Sequence, residues 1–354
     1  MKFVFTCGGT AGHINPALAV AGRLKELMPD SAFLFIGVNG KMEMQLVPRA
    51  GYEIRGLDMT YIVRGHDLHA ITHNLETIRN VARSTREAKR IIRDFGADAV
   101  IGTGGYICYP VLKAAHELHI PTFVHESNAV PGLTTKLLAD KVDRVTVTGT
   151  PVRGEFDLVT RESARAELGL EPGEKLVLSV WGSLGAEHMN RIMGEMMEKL
   201  DGKQGFRLIH ASGSLYYPRL TEKLKGKALD ECGIEVREYI HDMPRLMAAA
   251  DLILCRAGAS TISELSYMGK PVVMVPSPNV TNNHQEKNAR VLEHAGGAVV
   301  LLEGEFEADS LLNEVITLLH DEQRLESMGR AMRTLAVPDA CERIVNIILD
   351  VCGQ

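Results

Sequence analysis

Most of this 354-residue chain is written in one unit: a short apolar strand that runs straight into a glycine-rich turn and then into a helix. The first copy is Lys2-Phe3-Val4-Phe5-Thr6, then Cys7-Gly8-Gly9-Thr10-Ala11-Gly12-His13, then Ala17, Leu18, Val20, Ala21 and Leu24 at helical spacing. Apolar stretches at 32–36, 99–102, 121–124 and 144–147 repeat the alternation. Strands that are apolar throughout, joined by helical crossovers, predict a parallel sheet covered on both faces. The pattern restarts at Lys175-Leu176-Val177-Leu178-Ser179-Val180 and continues through 207–209, 236–240, 251–255, 272–275 and 298–302. The chain also exceeds the size at which one core usually divides. The expected fold class is therefore α/β, with two doubly wound parallel-sheet domains. Turn residues in Thr148-Gly149-Thr150-Pro151-Val152-Arg153 put the boundary at 152. Val337-Pro338-Asp339 breaks the chain before a last helical stretch, so 338–354 are expected to return to the first domain (1–152), leaving 153–337 as the second.

Bulk properties narrow the classes of function. A net charge of −6 argues against nucleic acid as the main partner. No apolar run approaches the roughly 20 residues that span a bilayer, so membrane contact would be peripheral. The six cysteines make no metal-ligand spacing, and no leader-like segment precedes Phe3; the expected home is a reducing cytoplasm.

The turns carry the chemistry. Gly8-Gly9-Thr10-Ala11-Gly12 is not the G-x-G-x-x-G of a dinucleotide site, because position 10 is Thr, and no G-x-x-x-x-G-K-[ST] occurs. It still offers N–H groups at a helix start, as does Gly102-Thr103-Gly104-Gly105-Tyr106 after a later strand. Ligands sit outside the carboxyl ends of parallel strands, so both turns are expected to face one crevice. In the second half Arg256-Ala257-Gly258-Ala259-Ser260-Thr261-Ile262-Ser263-Glu264 reads as small-residue turn, helix start and a carboxylate one turn in. A phosphate ester fits the helix start, and Glu264 suits the vicinal hydroxyls of a ribose. The alternative is a capping box, Thr261-x-x-Glu264, that satisfies its own helix and binds nothing.

These motifs occur in a fixed order with His13-Ile14-Asn15-Pro16, His125-Glu126-Ser127-Asn128, Tyr239-Ile240-His241-Asp242-Met243-Pro244 and Asn282-Asn283-His284-Gln285-Glu286. Together they resemble glycosyltransferase family 28, the peptidoglycan N-acetylglucosaminyltransferases, over nearly the whole chain. The resemblance implies a GT-B fold, two facing Rossmann-like domains with a cleft between them. It implies transfer of N-acetylglucosamine from UDP to the C4 hydroxyl of undecaprenyl-diphosphoryl-muramoylpentapeptide (lipid I), forming lipid II and UDP. On the donor side it implies that Glu264 holds the ribose, that Ser260 and Thr261 meet the diphosphate within the Arg256, Gly258 and Ala259 turn, and that Ile240 presents backbone to uracil. Ser183 and Arg153 would lie near the phosphates, with Gln285 and neighbouring His284 near the sugar hydroxyls. Thr10, Ala11 and Gly12 match the acceptor-side loop, Gly9, Gly104, Gly105 and Tyr106 the acceptor diphosphate, and Asn128 a group near the transferred sugar. No cofactor is implied.

His13, of near-neutral ordinary pKa at a helix start, is the expected base, with Glu126 the alternative. No D-x-D holds a metal, so metal-independent displacement with inversion is expected. Arg64, Arg79, Arg83, Arg86, Lys89, Arg90 and Arg93 outnumber Asp67, Glu76 and Glu87 where Leu68, Ile71, Leu75 and Ile78 repeat at helical spacing. This basic amphipathic surface suits the anionic cytoplasmic face of a bacterial membrane; an ordinary core-facing helix is the alternative. Two departures stand out: Trp181 and Leu184 flank Gly182-Ser183, and a turn-and-strand segment usual in the family is missing between Val145 and Thr148. The latter is expected to shorten the last strand of the first sheet. The rivals are another GT-B enzyme using the same donor, such as one with a different acceptor or a 2-epimerase, and a catalytically silent nucleotide-sugar binding protein.

Overall fold

The computed structural model describes residues 1–60, 68–127, 131–280 and 283–353, with side chains of the helix Leu68–Phe95 described at 77 and from 79 onward. It forms two compact units, Met1–Gly154 with Val337–Gln354, and Glu155–Ala336.

The first unit is a parallel sheet of β1 (Lys2–Thr6), β2 (Ala32–Val38), β3 (Glu53–Leu57), β4 (Ala99–Gly102), β5 (Thr122–His125) and β6 (Arg144–Thr146), in the order β3-β2-β1-β4-β5-β6. Phe3, Val4 and Phe5 are all fully buried, as the continuous apolar run requires of a strand covered on both faces. The β1–β2 register sets Phe3 beside Phe33 and Phe5 beside Phe35, and each pair stacks. On one face Ile14, Ala17, Val20, Ala21 and Leu24 of the helix Ala11–Leu27 share a core with Ile344, Val345 and Ile348 of the helix Ala340–Val351. Burial of those three side chains, each about 1.5–3 kcal/mol, anchors the returning segment. The edge strand β6 is short, with three residues paired to β5, and Val145 within it and Val147 just beyond it are exposed.

The second unit repeats the plan with β7 (Lys175–Val180), β8 (Phe206–Ala211), β9 (Ile234–Arg237), β10 (Leu252–Cys255), β11 (Val272–Met274) and β12 (Ala298–Val300), ordered β12-β11-β10-β7-β8-β9. Its core joins Trp181, four methionines of the helix Glu187–Lys199 and Leu311, Val315 and Leu318 of the helix Ala308–His320. In each sheet the chain lays two strands to one side of its starting strand and then crosses to lay three on the other. The switch points fall between β1 and β4, and between β10 and β7. At such a point the loops diverge and open a crevice beyond the carboxyl ends. Among the described residues no helix is long and apolar enough to cross a membrane.

Candidate active site

In the first unit the loops at the switch point are 7–13, after β1, and 103–106, after β4. They meet backbone to backbone. Gly105, at φ 90°, packs so that a Cβ would lie 2.5 Å from the Gly8 carbonyl oxygen. Gly104, at φ 124°, lies against the His13 ring, where a Cβ would be 2.9 Å from Nε2. Thr103 Oγ1 donates to the His13 carbonyl at 2.6 Å, tying the end of β4 to the start of the Ala11–Leu27 helix. That helix begins after Thr10 with no side-chain cap and no acidic residue in its first turn. The N–H groups of Ala11 and Gly12 therefore have no intrahelical acceptor, which suits an anion. Gly9 differs from its neighbours, because its N–H already donates to the Glu43 carboxylate at 3.1 Å.

His13 Nδ1 lies 2.9 Å from the Gly8 carbonyl. A carbonyl only accepts, so Nδ1 carries the proton and the lone pair of the neutral ring is on Nε2. Burial lowers the His13 pKa below its ordinary 6.5, opposed by the Gly8 bond and by the charges of Glu126 and Glu43. Glu126 is itself buried, and Oε2 accepts from the Gly132 N–H at 2.9 Å and Thr135 Oγ1 at 2.7 Å. It thus fastens the start of the helix Leu133–Leu138; Asn128 lies outside the described residues. That engagement suits a positioning role better than proton abstraction. Neighbouring His125 is pushed down to about 4 by burial and is neutral at neutral pH. Tyr106 follows the glycine pair, and Arg153 lies on the strand of chain leaving the first unit.

In the second unit the helix Ala259–Met268 starts after Gly258, again with no side-chain cap and no acidic residue in its first turn. Thr261 is inside the helix rather than at its N-cap, so the capping-box alternative is not formed. The N–H groups of Ala259, Ser260 and Thr261 open towards the switch point, and Glu264 follows one turn later, buried at 6% exposure. Beside this start lies the turn after β7. Gly182 (φ 93°) and Gly185 (φ 76°) hold Ser183 between them, and a Cβ on Gly213 would meet the Leu184 carbonyl oxygen at 2.6 Å. Ile240, after β9, is buried, and its N–H and C=O find no partner among the described residues. Gln285 Oε1 accepts from the Ser277 N–H at 2.9 Å, which fixes the amide beside the loop after β11. His284 is next to it, following Asn283, whose left-handed φ of 48° is uncommon outside glycine.

Arg256 points elsewhere. Its guanidinium donates to the carbonyls of Val275 and Pro276, pairs with Glu303 and lies 6.0 Å from the centre of the Trp181 ring. It braces the turn from behind, and this also accounts for Trp181, which is buried, whereas Leu184 is exposed.

Two supports had no signal in the sequence pattern. Asn288 Nδ2 donates to the Ala257 carbonyl at 3.3 Å. Beneath the β7 and β8 turns, Asn190 Nδ2 donates to the carbonyls of Ala186 and Ser212, which turns Oδ1 to His210 Nε2 at 3.0 Å and leaves His210 Nδ1 to accept from Ser179 Oγ at 2.9 Å. Burial brings His210 down to about 3, so this relay is neutral and structural. Among the described residues no three His, Cys, Asp or Glu side chains group to hold a metal ion.

His13, His125 and His210 all titrate below 6.5 in the folded chain. The unfolded chain then binds more protons, so stability falls as the pH drops below about 6.5. NMR titration of the His13 ring, assigned with His13→Gln, is expected to show a midpoint below 6.5 and the Nδ1–H tautomer; an Nε2–H ring would contradict the geometry.

Two family models match the chain: the glycosyltransferase family 28 N-terminal domain over residues 3–147 and the family 28 C-terminal domain over 176–344. A relative from Acetivibrio thermocellus, named UDP-N-acetylglucosamine–N-acetylmuramyl-(pentapeptide) pyrophosphoryl-undecaprenol N-acetylglucosamine transferase, is 42% identical, with 99% of this chain and 98% of the relative covered. A relative of the same name in Bacillus cereus is 36% identical over 98% of each. The crystal structure of Acinetobacter baumannii MurG is similar at a TM-score of 0.71 and 28% identity, covering 99% of both chains. The UDP complex of S. aureus MnaA, at 16% identity and a TM-score of 0.69 over 100% of this chain and 97% of that one, shares the fold. The two sheets are those of the GT-B fold, and the chain belongs to glycosyltransferase family 28.

Proposed function

We propose that this chain moves N-acetylglucosamine from UDP-N-acetylglucosamine to the C4 hydroxyl of the muramoyl sugar of lipid I, giving lipid II and UDP. The observation that carries the reading is the 42% identity to the Acetivibrio thermocellus transferase across 99% of this chain, which includes both units. The second unit binds the donor: Glu264 accepts from the ribose hydroxyls, the helix start at residues 259–261 and Ser183 meet the diphosphate, and the Ile240 backbone reads uracil. Gln285 and His284 reach the sugar. The first unit takes the acceptor diphosphate on the N–H groups of Ala11 and Gly12 and beside Gly104, Gly105 and Tyr106.

His13 Nε2 takes the proton of the acceptor hydroxyl as its oxygen attacks the anomeric carbon. The bond to UDP breaks on the opposite face, UDP leaves with the electron pair, and the configuration inverts. A base of this kind typically supplies about 10²–10⁴-fold. The helix start contributes roughly 0.3–1 kcal/mol to the departing charge when exposed, and up to about 2 kcal/mol when partly buried. Arg153 adds a full positive charge, and the reaction proceeds without a metal.

Radiolabel from UDP-N-acetylglucosamine is expected in the lipid product of a lipid I analogue, undiminished by chelator. Label confined to a soluble product would point to another GT-B activity, and donor binding without transfer to a silent binding protein. In the same assay His13→Ala should lose about 10²–10⁴-fold in turnover while donor affinity changes little. Retained turnover would remove His13 as the base.

The acceptor's prenyl chain puts the enzyme at the anionic cytoplasmic face of a bacterial membrane, bound peripherally. Arg79, Arg83, Arg86, Arg90 and Arg93 are all exposed on one stripe of the helix Leu68–Phe95, while Ser84, Thr85, Ala88 and Ile92 form its buried side. Arg64 and Asp67 are outside the described residues, as are the side chains of Leu68, Ile71, Leu75, Glu76 and Ile78. Each base at an anionic surface contributes about 1 kcal/mol. Flotation with phosphatidylglycerol vesicles should fall sharply when Arg83, Arg86 and Arg90 are changed to Glu; flotation indifferent to lipid charge would oppose this surface.

A further inference from the structure

Glu43 has no place in the site described so far, yet it touches the loop on which that site depends. It opens the short helix Glu43–Arg49 and is fully buried. Its two oxygens are divided between two strand ends: Oε2 accepts the Gly9 N–H at 3.1 Å, just past β1, and Oε1 accepts the Val38 N–H at 2.9 Å, at the end of β2. A carboxylate, which only accepts, matches two backbone donors.

The neighbouring glycines are shaped around this side chain. A Cβ on Gly8 would lie 2.7 Å from Glu43 Oε1, and one on Gly37 would lie 2.5 Å from its Cγ. Either contact would displace the carboxylate. Gly9 itself takes φ 86°, a left-handed conformation that lets the loop turn. The same loop supplies the Gly8 carbonyl that holds His13 Nδ1–H.

We propose that Glu43 is a positioning residue for His13: by clamping the 8–9 loop to the end of β2 it keeps the Gly8 carbonyl where it orients the imidazole and fixes the proton on Nδ1. The inference rests on the reading of His13 as the base. The charge of Glu43 acts on the ring as well, favouring its protonated form together with Glu126 and against burial. Thr10 and Gly104 are the ring's uncharged neighbours.

Glu43→Gln retains the shape of the side chain but replaces one acceptor by an amide NH₂ facing a backbone N–H, so one of the two clamps is lost. In the full-length protein, calorimetry with UDP-N-acetylglucosamine should give the wild-type affinity. The acceptor kcat/KM is expected to fall about 10- to 100-fold, the cost of a small misplacement of a reacting group. The acid limb of its pH profile should move to lower pH, because the imidazole loses a nearby negative charge. NMR of the His13 ring should show a reduced Nδ1–H population.

Gly37→Ala, whose Cβ presses on Glu43 from the side of β2 but leaves its charge in place, should reproduce the fall in kcat/KM and the reduced Nδ1–H population, and serves if Glu43→Gln does not fold. An unchanged acid limb with an unchanged His13 tautomer in the folded variant would overturn the proposal. The tautomer readout needs no turnover, so it stands even if His13→Ala removes the base reading.

Discussion

Backbone lies against backbone at the carboxyl ends of both sheets, and the rest of the site depends on that close approach. Gly105 packs on the Gly8 carbonyl in the first unit, and Gly185 and Gly213 bring the β7 and β8 turns together in the second. With no side chains to separate them, the loops stay low, and the helix starts after Thr10 and Gly258 stand at the two switch points with no side-chain cap. Each start presents a partial positive charge and unsatisfied N–H groups. The same arrangement therefore serves twice, and what distinguishes the units is the side chain placed beside it: an imidazole with its lone pair on Nε2 in one, a buried carboxylate in the other.

The alternation of apolar strand, glycine turn and helix made the two doubly wound sheets legible, because a strand buried on both faces has to be apolar at every position, as 3–5 and 252–255 are. Most of the turns around the site were legible for a similar reason: glycine at positive φ is a local requirement. What escaped the pattern was pairing between side chains distant in sequence. Whether Thr261 caps its helix depends on where the helix begins, and it begins after Gly258. Arg256, read from the sequence only as part of the donor-side turn, is set against the Val275 carbonyl and Glu303 by the order β12-β11-β10. Glu43 and the Ser179–His210–Asn190 relay are likewise joined only once the strands are ordered.

Burial around the site works through neutral histidines. His125 and His210, held far below their ordinary range, act as uncharged struts, while His13, also lowered by burial, has the charges of Glu126 and Glu43 acting in the opposite sense. The short edge strand β6 is enough to hold this machinery: it pairs with His125, and the Glu126 N–H donates to the Thr146 carbonyl at 2.9 Å.

The proposed nucleotide site is an uncapped helix start followed by a carboxylate one turn later. A crystal structure of the UDP complex tests it most directly. Phosphate oxygens are expected on the N–H groups of residues 259–261 and the ribose hydroxyls on the Glu264 carboxylate. UDP bound with its ribose away from Glu264, or its phosphates away from that helix start, would contradict it.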